Sequence, residues 1–209
     1  MGREDVLEQP GYKQKGKIRP HKKKRSRGIW IAAVLLALAL VMALLLGREL
    51  EKRTYRLDYP NTIAEYAKEY KLDPYLISSI IHCESGNRPD AVSPDGAVGL
   101  MQIMPTTGEW VAGKLQVEDF HTDMLFEPSV NIRFGCWYLQ FLMDRYDQDR
   151  QLAVAAYNAG HGTVDKWLGN PEISAEGRLV EIPYPETKTY VEKVQRAYEK
   201  YEFLYKNAF

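Results

Sequence analysis

The chain has 209 residues with 28 Lys+Arg against 28 Asp+Glu, a formal net charge of zero, and a length that suits one domain with an appendage. At 45% hydrophobic and 11% aromatic it can bury a core, which excludes a disordered chain, and its two cysteines exclude a disulfide scaffold or a four-cysteine zinc module. The charge is uneven: residues 1–28 hold ten basic and three acidic side chains, leaving 18 basic and 25 acidic for the rest, a split that points to a membrane- or nucleic-acid-facing tail on a separate body.

Ile29 to Leu46 reads IWIAAVLLALALVMALLL, eighteen residues without a charged side chain. As a helix at about 1.5 Å per residue it spans about 27 Å, close to the roughly 30 Å of a bilayer core. A cleaved secretory signal has a shorter apolar core, about 7–15 residues, followed by small residues, whereas this run is followed by Gly47-Arg48-Glu49-Leu50. A buried core helix would show a polar face. The reading is therefore an uncleaved anchor over residues 29–47. The run His21-Lys22-Lys23-Lys24-Arg25-Ser26-Arg27 precedes it, while residues 48–53 mix three basic and two acidic side chains. An excess of Lys/Arg stays cytoplasmic, so the tail over residues 1–28 is expected inside, and everything beyond about residue 48 outside. Orientation accounts for the basic run, and nucleic acid is not needed as a partner.

Residues 48–59 read as a short charged stalk, and residues 60–209 as a run of helices. Asn61 is placed to cap a helix carrying Ile63, Tyr66, Ala67 and Tyr70. Asp73-Pro74 is a second start signal, a capping side chain followed by proline at the first helical position. Leu76, Ile77, Ile80 and Ile81 follow at helical spacing, and Ser85-Gly86 stops the run. The stretch from Gly86 to Gly99 is loop chemistry. Further helices fit 129–146, then 150–159 closed by Gly160 as a left-handed cap, and 187–206 with a stripe of Tyr190, Val194, Tyr198, Tyr201 and Tyr205. No stretch alternates as a strand, so the body is expected to be all-α.

Glu84 breaks the pattern of its helix. It follows Leu76 and Ile80 at four-residue steps, so it projects from the apolar face. A carboxylate there is paired, hydrogen-bonded, placed for use, or on a frayed last turn that meets water. Partial burial and the negative end of the helix dipole would both raise its pKa, as a general acid near neutral pH requires.

Four motifs occur in order around this residue. They are Glu84-Ser85-Gly86, then Ser93-Pro94-Asp95-Gly96-Ala97-Val98-Gly99-Leu100-Met101-Gln102-Ile103-Met104-Pro105, then Ala156-Tyr157-Asn158-Ala159-Gly160, and last Glu186-Thr187-Lys188-Thr189-Tyr190-Val191. Together they resemble the catalytic core of the lytic transglycosylases of the soluble (SLT) type, glycoside hydrolase family 23, and span about residues 60–205. The resemblance implies a goose-type lysozyme-like helical domain and cleavage of the β-1,4 bond between N-acetylmuramic acid and N-acetylglucosamine in peptidoglycan, without a cofactor. It implies that Glu84 protonates the leaving oxygen and then takes a proton from the muramoyl C6 hydroxyl, closing a 1,6-anhydro ring. It assigns Ser93 and Gln102 to hydrogen bonds with the sugar, Tyr157 to a place beside Glu84, Asn158 to the turn or the substrate, Tyr190 to an approach on the catalytic carboxylate, and Met101 to the groove floor. His161, where many relatives have proline, is a departure that touches the shape of that loop.

The lone carboxylate is compatible with this chemistry because the sugar supplies the nucleophile, whereas ordinary glycosidases need two carboxylates roughly 5–9 Å apart. Asp90 and Asp95 read as turn formers. His82, Cys83 and Glu84 are adjacent on a helix and cannot converge on a metal, and His121 and His161 lack ligand spacing. Trp110, Trp137 and Trp167 read as core rather than sugar platforms, with a place along the groove as the alternative for one of them. Cys83 and Cys136 fall on apolar stripes and read as buried, unbonded thiols. The sequence thus describes an all-α, lysozyme-like domain behind a single transmembrane helix, a membrane-anchored peptidoglycan lytic transglycosylase acting on glycan strands. A hydrolytic muramidase and an inactive glycan-binding scaffold are the alternatives.

Overall fold

A computed structural model describes Gly2 and residues 25–209, without the side chains of residues 25–27; the rest of the basic tail lies outside the described residues. The chain divides into two compact units, one reaching Leu46 and one from Gly47 to Phe209. Helix α1, Arg25–Thr54, carries the apolar run, with every residue from Gly28 to Leu50 exposed. It is the one helix among the described residues long and apolar enough to cross a membrane.

The second unit is helical, as expected. Helix α2 runs Pro60–Tyr70 with Pro60 in its first turn and Tyr59 in the left-handed region at φ 58°. The expected cap at Asn61 is thus corrected: proline, with no N–H to satisfy, takes the first position and moves the start two residues back, with Tyr59 as the cap. Helix α3, Pro74–Ser85, begins as read, with the Asp73 carboxylate accepting from the Tyr75 N–H at 2.9 Å. It ends on Gly86, left-handed at φ 62°. Helix α4 is Pro105–Leu115, and a short 3-10 helix spans Thr122–Phe126. Helix α5, Pro128–Arg145, is the central element, with Ile132, Cys136, Leu139 and Leu142 fully buried. Helix α6, Arg150–Ala159, is capped by Asp149, which accepts from the Leu152 N–H at 3.0 Å.

Gly160 does not form the left-handed cap expected of it. It does close α6, its N–H donating to the Ala156 carbonyl, but at φ 81° its ψ of 140° is not that of a left-handed cap, and the chain turns straight into helix α7, His161–Leu168. A two-residue hairpin follows, β1 (Ser174–Ala175) paired antiparallel with β2 (Arg178–Leu179), in the register Ser174 opposite Leu179. This corrects the reading that no strand exists. Its turn needs positive φ at two successive residues, found at Glu176 (52°) and Gly177 (76°). Helix α8, Pro185–Leu204, packs closely along α3, and α6 lies against α5, α7 and α8.

One core fills the space among α2, α3, α5 and α8 and takes in Leu100, Met101 and Ile103 from the loop after α3; a second lies beneath α6 and α7, around Leu142, Ala155, Val164 and Trp167. Residues 55–59, read as stalk, touch the body: the Tyr201 hydroxyl donates to the Arg56 carbonyl at 2.8 Å and the Tyr205 hydroxyl to the Tyr55 carbonyl at 3.0 Å. Before them, Lys200 pairs with Glu51 at 2.5 Å.

Candidate active site

Glu84 stands on the last turn of α3, half-buried where α8 crosses. Four-residue spacing from Ile80 puts it on the packed face, and the stop at Gly86 leaves its carboxyl at the edge of the core. Tyr190 of α8, 9% exposed, donates its hydroxyl to Glu84 Oε1 at 2.5 Å. Burial pushes the Glu84 carboxyl up to about 7, against the pull of that hydrogen bond. The Tyr190 phenol is itself driven well above its ordinary value, by burial first and then by the neighbouring carboxylate. Near neutral pH the pair is therefore a carboxyl poised between its two protonation states and a phenol that only donates.

Tyr157, on α6, is within electrostatic range of Glu84, whose charge helps to raise its phenol after the larger effect of burial. Its hydroxyl, however, is used on the Met101 carbonyl at 2.9 Å. Tyr157 thus holds the loop between α3 and α4. Met101 is 0% exposed and its thioether fills the notch over Gly135 in α5, where even a Cβ would overlap it. The thioether is therefore packed in the core and cannot reach a ligand at the surface.

The loop itself is folded by its own polar groups. Ser93 Oγ accepts from the Ala97 N–H at 2.9 Å, which leaves its proton to donate. Gln102 is left-handed at φ 48°, and its Nε2 donates to the carbonyls of Gly99 (2.9 Å) and Ala91 (3.2 Å). Both amide protons are then engaged, and the amide oxygen is the group left to meet a ligand. Val98 bridges to Val92 and to Ile103. Asn158 is exposed and its Oδ1 accepts from Thr187 Oγ1 at 2.8 Å, tying the end of α6 to the start of α8.

Sequence reasoning missed the residue that anchors this loop. Asn131, fully buried in α5, donates through Nδ2 to the carbonyls of Val98 (2.9 Å) and Leu125 (2.8 Å) and accepts from the Met101 N–H at 2.7 Å. The only sign of it in the sequence is a polar residue one place before Ile132 on the helix stripe. Gly99, at φ 79°, sits against the same amide and could carry no side chain there.

A cavity of about 370 Å³ opens beside the Glu84–Tyr190 pair, its wall including Cys83, Asn158, Glu186, Tyr190 and Lys193. Cys83 is only half-buried and lines this cavity, which corrects its expected place on the buried side; Cys136 is buried as read, and both cysteines are free. Burial pushes the Cys83 thiol up to about 11, so it is not a nucleophile. His82 is held between the rings of Tyr55 (4.7 Å) and Tyr201 (6.1 Å), and burial lowers its pKa. Among the described residues no three His, Cys, Asp or Glu side chains converge to hold a metal. Trp167 is buried, whereas Trp110 is 37% exposed and meets Trp137 edge-on at 5.0 Å.

The family described as Transglycosylase SLT domain matches residues 61–178. The chain is 37% identical over 155 residues to the soluble lytic murein transglycosylase of Salmonella typhimurium, covering 73% of this chain and 24% of that one. It is 30% identical over 179 residues to the membrane-bound lytic murein transglycosylase C of Glaesserella parasuis, covering 75% of this chain and 49% of that one. Among solved structures, the 70-kDa soluble lytic transglycosylase of Escherichia coli superposes with a TM-score of 0.66 at 31% identity, over 73% of this chain and 25% of that one. An inactive mutant of the lytic transglycosylase Slt of Pseudomonas aeruginosa gives 0.64 at 34% identity, over 71% and 24%. The chain thus spans about a quarter of the soluble relatives' length and about half of the membrane-bound one's.

Proposed function

Since the chain belongs to the transglycosylase SLT domain family, we propose that it is a peptidoglycan lytic transglycosylase, held at the cytoplasmic membrane by residues 29–47, joined by residues 48–59 to a catalytic domain at 60–209. The observation that carries this reading is the half-buried Glu84, raised to about 7 and hydrogen-bonded by Tyr190.

The steps follow from that one group. Protonated Glu84 gives its proton to the glycosidic oxygen between N-acetylmuramic acid and N-acetylglucosamine, and the bond from that oxygen to muramoyl C1 breaks. The carboxylate left behind takes the proton from the muramoyl C6 hydroxyl as that oxygen bonds to C1. The products are a 1,6-anhydromuramoyl end and a free N-acetylglucosamine hydroxyl, and Glu84 is again protonated. A pKa near the working pH suits both halves of this cycle. Tyr190 steadies the carboxylate form by donating to it. Ser93, through its free proton, and Gln102, through its amide oxygen, meet the sugar, and Asn158 offers its amide donors from the wall of the cavity beside Tyr190. Tyr157 and Met101 act from behind, holding the loop.

A muramidase that uses water as nucleophile is the second reading, and one observation favours it: Glu186 lies in the wall of the same cavity and offers a second carboxylate. Asp90 and Asp95 are exposed on the loop. The apolar α1 and the likeness to membrane-bound relatives support anchoring, and the basic flank before Gly28 supports a cytoplasmic N-terminus with the domain outside.

The test is digestion of purified peptidoglycan by the full chain in detergent, with products read by mass spectrometry. Anhydro ends, lighter by one water than hydrolysis products, are expected. Free reducing ends alone would establish the muramidase, with Glu186→Gln then abolishing activity; no cleavage at all would leave the scaffold.

A further inference from the structure

Helix α1 does not stop where its apolar run does. It continues unbroken past Leu46 to Thr54, and within the unit that begins at Gly47 its last turns are gripped by the far end of α8. Lys200 Nζ meets Glu51 Oε1 at 2.5 Å, and one turn on, the Arg48 guanidinium donates to the Leu204 carbonyl at 3.4 Å. The contacts step back along α1, from Glu51 to Arg48, as they step forward along α8, from Lys200 to Leu204. The two helices therefore run in opposite directions here, and α8 ends at the level of Arg48.

Phe203 lies on that flank of α8. It follows Lys200 by three residues, which puts it on the same side of the helix and about 4.5 Å farther along at ~1.5 Å per residue. Arg48 precedes Glu51 by the same three residues, so the ring stands at its level. Phe203 is 68% exposed, whereas Tyr201 and Leu204 on either side of it are buried. A single exposed apolar side chain is ordinary; what sets this one apart is where it stands. The acids close by do not oppose an apolar setting: Glu51 is paired with Lys200, and Glu202 projects about a quarter-turn away round the helix.

Arg48 follows Leu46, the last residue of the apolar run, by two positions, a rise of about 3 Å. The headgroup layer on each side of a bilayer is roughly 5–7 Å thick, given about 30 Å of hydrocarbon within about 40–45 Å overall. A group level with Arg48 is then inside that layer, where aromatic rings are enriched and long basic side chains keep their charged ends. Resting on the anchoring by residues 29–47 proposed above, we propose that the end of α8 is a second membrane contact, with the Phe203 ring seated in the headgroup layer of the phospholipid bilayer that holds α1. The catalytic domain is thereby held to the membrane surface at two points and does not swing about one helix.

The experiment uses the full chain in vesicles of phosphatidylethanolamine and phosphatidylglycerol, with one nitroxide at a time attached through Phe203→Cys, Val180→Cys or Leu38→Cys. Cys83 and Cys136, whose thiols burial pushes up, stay largely unlabelled. The readout is the ratio of the label's relaxation by dissolved oxygen, which favours lipid, to that by a water-soluble nickel chelate. Val180 is 74% exposed between β2 and α8 and shares a cavity wall with Lys188, near the opposite end of α8, and Leu38 is midway along the apolar run. The ratio at position 203 is expected to exceed that at 180 several-fold and to fall below that at 38. A label at 203 as wet as the one at 180, with the label at 38 in lipid, overturns the proposal and leaves the anchor standing. A wet label at 38 overturns both.

Discussion

Glu84→Gln sets function against stability in one substitution. In the fold the carboxyl titrates near 7, against an ordinary 4.5, because burial penalises its charged form more than the Tyr190 hydroxyl favours it. Between those values the folded chain holds a proton that the unfolded chain has released. Stability therefore falls as pH rises through this window, and the whole cost is present above about 7. A difference of about 2.5 pH units at ~1.4 kcal/mol each amounts to about 3 kcal/mol. Glutamine has nearly the same shape, cannot ionise, and still offers Tyr190 an acceptor. The variant should match the wild type near pH 4.5 and exceed it by about 3 kcal/mol at pH 8, which for a domain of this size is roughly 6–12 °C in Tm. Its turnover of peptidoglycan should fall by at least the ~10²–10⁴ typical of a lost general acid–base group. Thermal unfolding of both full-length proteins in detergent from pH 4.5 to 8 reads the first effect, and subtracting one curve from the other cancels every other titrating group. A difference that does not grow with pH, or a variant less stable at pH 8, would refute the account of a carboxyl held neutral by burial.

Tyr190→Phe removes a donor that favours the carboxylate, a bond worth about 1.5–3 kcal/mol to a charged acceptor. The alkaline limb of the kcat/KM profile should move up by about 1–2 pH units; a limb that stays or moves down would remove Tyr190 from its assigned place. Asn131→Leu strands the Met101 N–H and the Val98 and Leu125 carbonyls without partners, and should lower stability in denaturant titration by at least ~3 kcal/mol. Thiol titration of the denatured, unreduced chain should count both Cys83 and Cys136, while in the native chain at pH 8 Cys83, raised to about 11, should react far more slowly than a free thiol.

What could be read from the sequence was local. Asp73-Pro74 and Gly86 bound α3 because a cap and a left-handed stop act within three residues of themselves. Glu84 was visible because a carboxylate on an apolar stripe violates a period that the next turn makes plain. Helix α7 was hidden because a glycine after a helix ordinarily ends it, and nothing local distinguishes the ψ of 140° at Gly160 from that of a left-handed cap. Helix α4 was hidden because Pro105, its first residue, was absorbed as the end of a motif. Asn131 was out of reach for a different reason. Its partners lie 6, 30 and 33 residues away, and only the packed fold brings them to one amide.

The grip of Asn131 on the loop also bears on time. Residues 98–104 have no helix or sheet of their own beyond single bridges, and loops of that kind ordinarily open and exchange their amide hydrogens freely. Here the Met101 N–H ends on a fully buried amide of the central helix, with the thioether seated against Gly135 below it. Exchange at Met101 then requires α5 itself to open, so this amide should be protected to nearly the same degree as those of the core. On the proposed function, a loop that moves only when the core does would meet its substrate already shaped, with little left to order as the sugar arrives.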